Sequence, residues 1–264
     1  MKILFEGSQI VMAEVHSGMK SNLVILGNGF SIGDPFFSFP NRKRFSNMGT
    51  VMAMFFKKEC TGLEAAQEEL AEFIRREHNK YDRVVLYGQS KCGVLFYNTL
   101  SLLATPVTAI CVSSPFGGTF WANKEAVKEK LWTNRNFFGK LFKGWQYFLY
   151  KKIFSDHPVD RDLIEGSEYL SKERVIPECH TVVCVTALCH DFLEEISKGK
   201  FRSAVCSTLN KYIGQGVSEA VDGDGIVRSN SQIPPKMPTR IRNLLRSSHI
   251  TSFDDAVFVL REHI

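Results

Sequence analysis

RVVLYGQSKCGVLFYNTL (83–100) runs a β-branched apolar segment into a Gly-Gln-Ser-Lys corner and from there straight into a second apolar segment. A strand that is apolar at nearly every position is buried on both faces, as in a parallel sheet, and the segment after the corner has the length of a buried helix. The polar corner between them has two readings: Ser90 caps a tight turn, or Ser90 is a hydroxyl presented for chemistry. A short glycine-serine motif often arises by chance, so the rest of the chain has to separate the two.

Upstream, NLVILGNGF (22–30) is an apolar run ending in Gly-Asn-Gly, which suits a buried strand feeding a loop with permissive backbone angles. TVMAMFF (50–56) reads as the next strand. From Thr61 the period changes: Leu63, Ala66, Leu70, Phe73 and Ile74 recur at helical spacing, with acidic residues toward the start, where the helix dipole favours them. Beyond the corner come the helix KCGVLFYNTLSLL (91–103) and the strand VTAICVS (107–113). This alternation predicts a mostly parallel sheet with helices on its faces.

After Gly118 the alternation stops. Phe138, Leu141, Phe142, Trp145, Phe148, Leu149 and Ile153 recur every three or four residues, while Lys140, Lys143, Tyr147 and Lys151 fall largely elsewhere. The pattern is an amphipathic helix with an aromatic face, and it reads as an insertion. The sheet pattern resumes at HTVVCVTAL (180–188), passes through VDGDGIV (221–227), and closes with TRIRNLL (239–245), RSSHITS (246–252) and the helix FDDAVFVLREHI (253–264). Without an internal repeat or low-complexity linker, the chain reads as one domain over 1–264 with a helical cap over 116–175.

The 264 residues, 44% hydrophobic and 23% charged, are enough for one large α/β core. The start, MKILFEGSQI, has no sustained apolar run, so no export or transit signal is visible and a cytoplasmic location is expected. Residues 92–123 carry no charge, but Asn98, Thr99, Pro106 and SSPFGG interrupt them, which fits a buried helix and strand rather than a membrane span. Seven cysteines without a C-x-x-C pair read as reduced thiols, with no disulfide framework and no zinc site expected. The net charge of +5 is concentrated: residues 116–157 hold eight Lys or Arg against three acids, together with all three tryptophans. Those basic residues lie among bulky apolar ones, and no nucleic-acid motif accompanies them.

A serine hydroxyl attacks a carbonyl only when a base takes its proton, and the base needs an acid to hold its tautomer. On a parallel sheet such groups project from loops at the carboxyl ends of strands. Ser90 lies between a strand and a helix, Asp224 lies in a glycine-rich loop and His249 follows the last strand, in the order Ser, Asp, His. In this order, VILGNGF, YGQSKCG, SSPFGGT, DLIEGSEYL, DGDGIVRSNS and SSHITSFDD make the chain similar to the α/β-hydrolases, within them to the lipase and esterase branch. The likeness spans residue 22 to the C-terminus.

The resemblance implies an α/β-hydrolase fold with an inserted helical lid, and a serine hydrolase that cleaves carboxylic esters. It implies catalysis by Ser90, Asp224 and His249, an oxyanion hole from the amides of Phe30 and Lys91, and no metal or organic cofactor. Three departures stand out. Cys92 replaces the second glycine of G-x-S-x-G, where slight crowding is expected; Asn28-Gly29 replaces the His-Gly of the oxyanion loop; and Asp222 competes with Asp224 for the acid's role. Of the other histidines, His190 beside Asp191 suits a surface or lid role, His16, His78 and His180 match no motif, and His263 sits at the end of the chain.

The inserted aromatic face has two readings. Phe138, Phe142, Trp145 and Phe148 line an acyl pocket as a lid, or they form an ordinary helical layer over the sheet. In the first reading the substrate is a small-molecule or lipid ester and the neighbouring lysines favour peripheral contact with a lipid interface. A thioesterase or acyltransferase would use the same three residues. The rival of another class is a catalytically silent binding protein on the same fold.

Overall fold

The structure, a computed structural model, describes residues 2–18, 21–32, 42–45, 47–123, 125–126, 157–188, 223–224, 227–234, 238, 240–245, 247, 249 and 252–264. Strands β1 (Lys2–Glu6), β2 (Ile10–His16), β3 (Asn22–Ile32), β4 (Thr50–Phe56), β5 (Arg83–Gln89), β6 (Thr108–Val112), β7 (Thr181–Leu188) and β8 (Arg240–Leu245) form one sheet. Their order is β1-β2-β4-β3-β5-β6-β7-β8. The pairs from β4 through β8 are parallel, and β1 and β2 add an antiparallel edge. The principal helices are α1 (Leu63–Glu77) and α2 (Lys91–Thr99); α3 (Pro158–Arg161), α4 (Glu168–Ser171), α5 (Ser252–Asp255) and α6 (Val257–Arg261) are one turn or slightly more.

Alternation along β5 divides the core into two layers. Val84 and Leu86 face the layer that holds α1 and α2, while Val85 and Tyr87 face Phe253, Val257 and Leu260 near the C-terminus. The five residues read as the apolar stripe of α1 are all buried. Every residue of α2 is buried as well, which its nearly uninterrupted apolar sequence requires.

The edge hairpin is the part of the sheet that sequence patterning missed. Its turn is held from outside: Glu69 of α1 accepts from the amides of Gln9 at 2.8 Å and Ile10 at 2.7 Å. Two short stretches flanking 124–156 also meet, with Thr119 N donating to Leu163 O at 2.9 Å. The second of them is fastened to the core beneath, where His157 Nε2 donates to Lys57 O at 3.0 Å and Leu63 N donates to Asp162 Oδ2 at 2.6 Å. Asp162 thereby supplies the first turn of α1 with the acceptor that its own flanking Gly62 lacks.

Candidate active site

Ser90 joins β5 to α2 with φ 54° and ψ −127°, a left-handed conformation uncommon outside glycine. Its backbone is fully used: the amide donates to Val112 O at 2.9 Å, and its carbonyl accepts from Gly93 N at 3.0 Å and Val94 N at 3.3 Å. Its side chain makes no capping bond to the helix. The turn-capping reading of the corner therefore lacks its central contact.

Asp224 and His249 are joined twice. His249 Nδ1 donates to Asp224 Oδ2 at 2.7 Å, and the His249 amide donates to Asp224 O at 3.0 Å. The other carboxylate oxygen accepts from Val227 N at 2.7 Å, so both oxygens of a wholly buried aspartate are occupied. With its Nδ1 proton committed to the carboxylate, the imidazole presents Nε2 as an acceptor. Gln232 fastens the aspartate's loop to β7, donating from Nε2 to Val227 O at 3.0 Å and Ala187 O at 3.1 Å while Oε1 accepts from Ala187 N at 2.7 Å.

The two expected oxyanion donors flank the elbow. Lys91 is the first residue of α2, and Phe30 follows Gly29 in β3. Gly29 lies directly against Ser90: a Cβ there would sit 2.5 Å from Ser90 Cβ and 3.1 Å from its Oγ, so only glycine lets the β3 main chain approach this closely. The Lys91 side chain is buried and paired, Nζ lying 2.6 Å from Asp160 Oδ1 of α3. Asp222 and the aromatic residues Phe138, Phe142, Trp145 and Phe148 lie outside the described residues, as do His190 and Asp191.

His180 is structural, its Nδ1 accepting from Val107 N at 3.2 Å and its Nε2 donating to Leu103 O at 3.0 Å. Cys60, Cys92, Cys111, Cys179 and Cys184 are free thiols. Among the described residues no cluster of His, Cys, Asp and Glu is placed to hold a metal ion, and no helix is long and apolar enough to cross a membrane.

No protein-family model and no curated protein matches this sequence. Solved structures do match over almost the whole length. A Bacillus licheniformis lipase in its mature form is 15% identical, with 96% of this chain and 97% of that one covered at a TM-score of 0.57. A type II thioesterase from the borrelidin biosynthetic cluster is 13% identical, with 96% of each chain covered and a TM-score of 0.51. A structure from work on carboxylesterases of the ammonia-oxidizing thaumarchaeon Nitrososphaera gargenis is 12% identical, covering 99% of this chain and 97% of that one at a TM-score of 0.51. The chain has the α/β-hydrolase fold.

On this fold the departures at the elbow acquire physical form. Cys92 is accommodated because β3 offers Gly27 opposite it: a Cβ on Gly27 would fall 2.7 Å from Cys92 Cβ. The thiol donates to Asn28 O at 3.4 Å, and complete burial pushes its pKa up to about 12, so it is an inert packing group. Sequence reasoning missed the polar side chains around the site, Gln89, Gln232 and the Lys91–Asp160 pair. The signal for two of them was present in the polar Gln-Ser-Lys corner, where glutamine and lysine interrupt a segment that is otherwise buried and apolar.

Proposed function

We propose that this protein is a serine hydrolase that cleaves carboxylic esters with apolar, lipid-like acyl groups. The observation that carries the reading is the buried His249–Asp224 hydrogen bond, with His249 O bonded to Gln89, the residue that precedes Ser90 at its left-handed elbow. In this mechanism Ser90 Oγ bonds to the ester carbonyl carbon as its proton passes to His249 Nε2. The oxyanion is met by the amides of Lys91 and Phe30. Collapse breaks the carbon–oxygen bond to the alcohol, which leaves with the proton from His249. Water, deprotonated by the same imidazole, then releases the acid and restores Ser90. Asp224 keeps the imidazole in the right tautomer throughout.

The proposal includes one domain over 1–264, with residues 116–175 as a cap whose Phe138, Phe142, Trp145 and Phe148 line the acyl site. The meeting of Thr119 with Leu163 supports it, since a segment that leaves and rejoins the sheet at one place is built as an insertion. The expected setting is the cytoplasm, with peripheral contact at a lipid surface through the cap's lysines. One neighbour being described as a thioesterase favours a second substrate class, S-acyl esters attacked by the same serine.

The deciding experiment is labelling with a fluorophosphonate, followed by hydrolysis of matched oxygen and sulfur esters. Ser90→Ala should abolish labelling and lower turnover by about four to six orders of magnitude with an unchanged melting temperature. Asp224→Asn should cost about four orders and Asp222→Asn little. A Ser90→Ala protein that keeps a tenth of the wild-type rate would overturn the assignment.

A further inference from the structure

The side chains of β5 that precede Ser90 do something the proposed reaction does not itself require. Alternation puts Val85, Tyr87 and Gln89 on one face of the strand, toward the C-terminal segment. Val85 packs there as expected. Tyr87 Oη donates to Phe253 O at 2.5 Å, and its ring meets the Phe253 ring edge-on at 4.9 Å between centroids. Gln89 Nε2 donates to His249 O and to Ser252 Oγ, the latter at 2.9 Å, while Ser252 Oγ donates to His249 O at 3.1 Å. Two side chains from one strand thus hold residues 249, 252 and 253 together.

Gln89 is wholly buried, at a position where a leucine or methionine would pack without needing any partner. Both Nε2 hydrogens are used, and among the described residues Oε1 meets no donor. Only the nitrogen end can face a carbonyl, so the amide orientation is set by the histidine loop.

We infer that Gln89 is a positioning residue for His249, fixing the base relative to the nucleophile that follows Gln89 in the chain. The inference rests on the roles proposed for Ser90 and His249. His249 is then held from two sides: Asp224 grips the imidazole and the amide, and Gln89 grips the carbonyl. Gln89 touches neither substrate nor any reacting atom. Its loss lets the imidazole drift, and a displacement of about 1 Å in such a site lowers the rate on the order of a hundredfold.

The test uses the full-length protein and nitrophenyl acetate, with Gln89→Met, Gln89→Glu, His249→Ala and the Gln89→Met/His249→Ala double variant. Gln89→Met should lower kcat by about 10- to 100-fold with KM within about twofold. In the His249→Ala background the same change should cost nothing more, because there is no base left to position. Gln89→Glu supplies a readout that altered packing does not move. Protonated, the new carboxyl still donates to His249 O; ionised, it faces that carbonyl with negative charge. Its rate relative to wild type should therefore be higher at pH 6 than at pH 8, and this ratio carries the test alone should Gln89→Met fail to fold. A wild-type kcat in Gln89→Met, or a pH-independent Gln89→Glu ratio, or an undiminished further loss in the double variant, overturns the inference. His249→Ala retaining activity overturns the hydrolase reading instead, whatever Gln89 does.

Discussion

Gly93 shows how little room the corner has at the scale of single residues. A Cβ there would lie 1.8 Å from Ser114 Oγ and 2.9 Å from both Ser114 Cβ and the Gly88 carbonyl. The hydroxyl could rotate aside, but the carbonyl belongs to β5 and cannot move without moving Ser90. Gly93→Ala should therefore destabilise the fold by roughly 1–3 kcal/mol, as overpacked core positions do. Urea unfolding measures this, and a loss below about 0.5 kcal/mol would show that the helix shifts freely. The reading of position 92 turns on the same geometry. From sequence, a cysteine in place of glycine implies crowding at the elbow, but the space it needs is provided by Gly27, sixty-five positions earlier, which no local pattern links to it.

Among the elements, those with a strong period were legible. The strand at 50–56 and the stripe of α1 came directly from apolar patterning, because burial on both faces or along one stripe leaves a repeating trace. The β1–β2 hairpin left none: β1 is exposed along almost its whole length and therefore carries no alternation. Gly-Asn-Gly, read as the start of a loop, is part of a strand that continues to Ile32 with a register shift beyond Gly27. The aromatic stripe belongs to this scale too, since its role is decided by what an amphipathic helix covers. As a lid, its Trp145→Ser/Phe148→Ser variant should lower kcat/KM for eight-carbon esters much more than for acetate, each buried methylene contributing about 0.8 kcal/mol. As ordinary packing it should lower the melting temperature and act on both chain lengths alike. The ratio of the two specificity constants, measured beside a thermal melt, separates them.

For the molecule as a whole, the site is a convergence of segments far apart in sequence, and this limits what spacing can disclose. Ser90, Asp224 and His249 could be proposed from the sequence because each follows a predicted strand, where a parallel sheet sends its loops, and the structure pairs the last two. The connection from Lys91 to Asp160 was not, since 69 positions separate them and Asp160 lies in no motif. Yet that pair, with the bonds from His157 to Lys57 and from Leu63 to Asp162, ties the segment after residue 156 to the ends of β4, α1 and α2. Both charged groups are nearly inaccessible, with side-chain exposures of 5% and 7%, and Lys91 sets a positive charge at a helix N-terminus, where the dipole opposes it. Removing either charge leaves the other in a medium that cannot hydrate it. Asp160→Leu or Lys91→Met alone should therefore destabilise the protein by about 3–5 kcal/mol, whereas the double change to Leu and Met should restore most of the loss. The lysine's amide survives each substitution, so the refolded double variant should still label with a fluorophosphonate. Single and double variants unfolded in urea give the coupling directly. If the two single losses simply add in the double variant, the charges do not depend on each other, and the segment is held to the core by its other bonds alone.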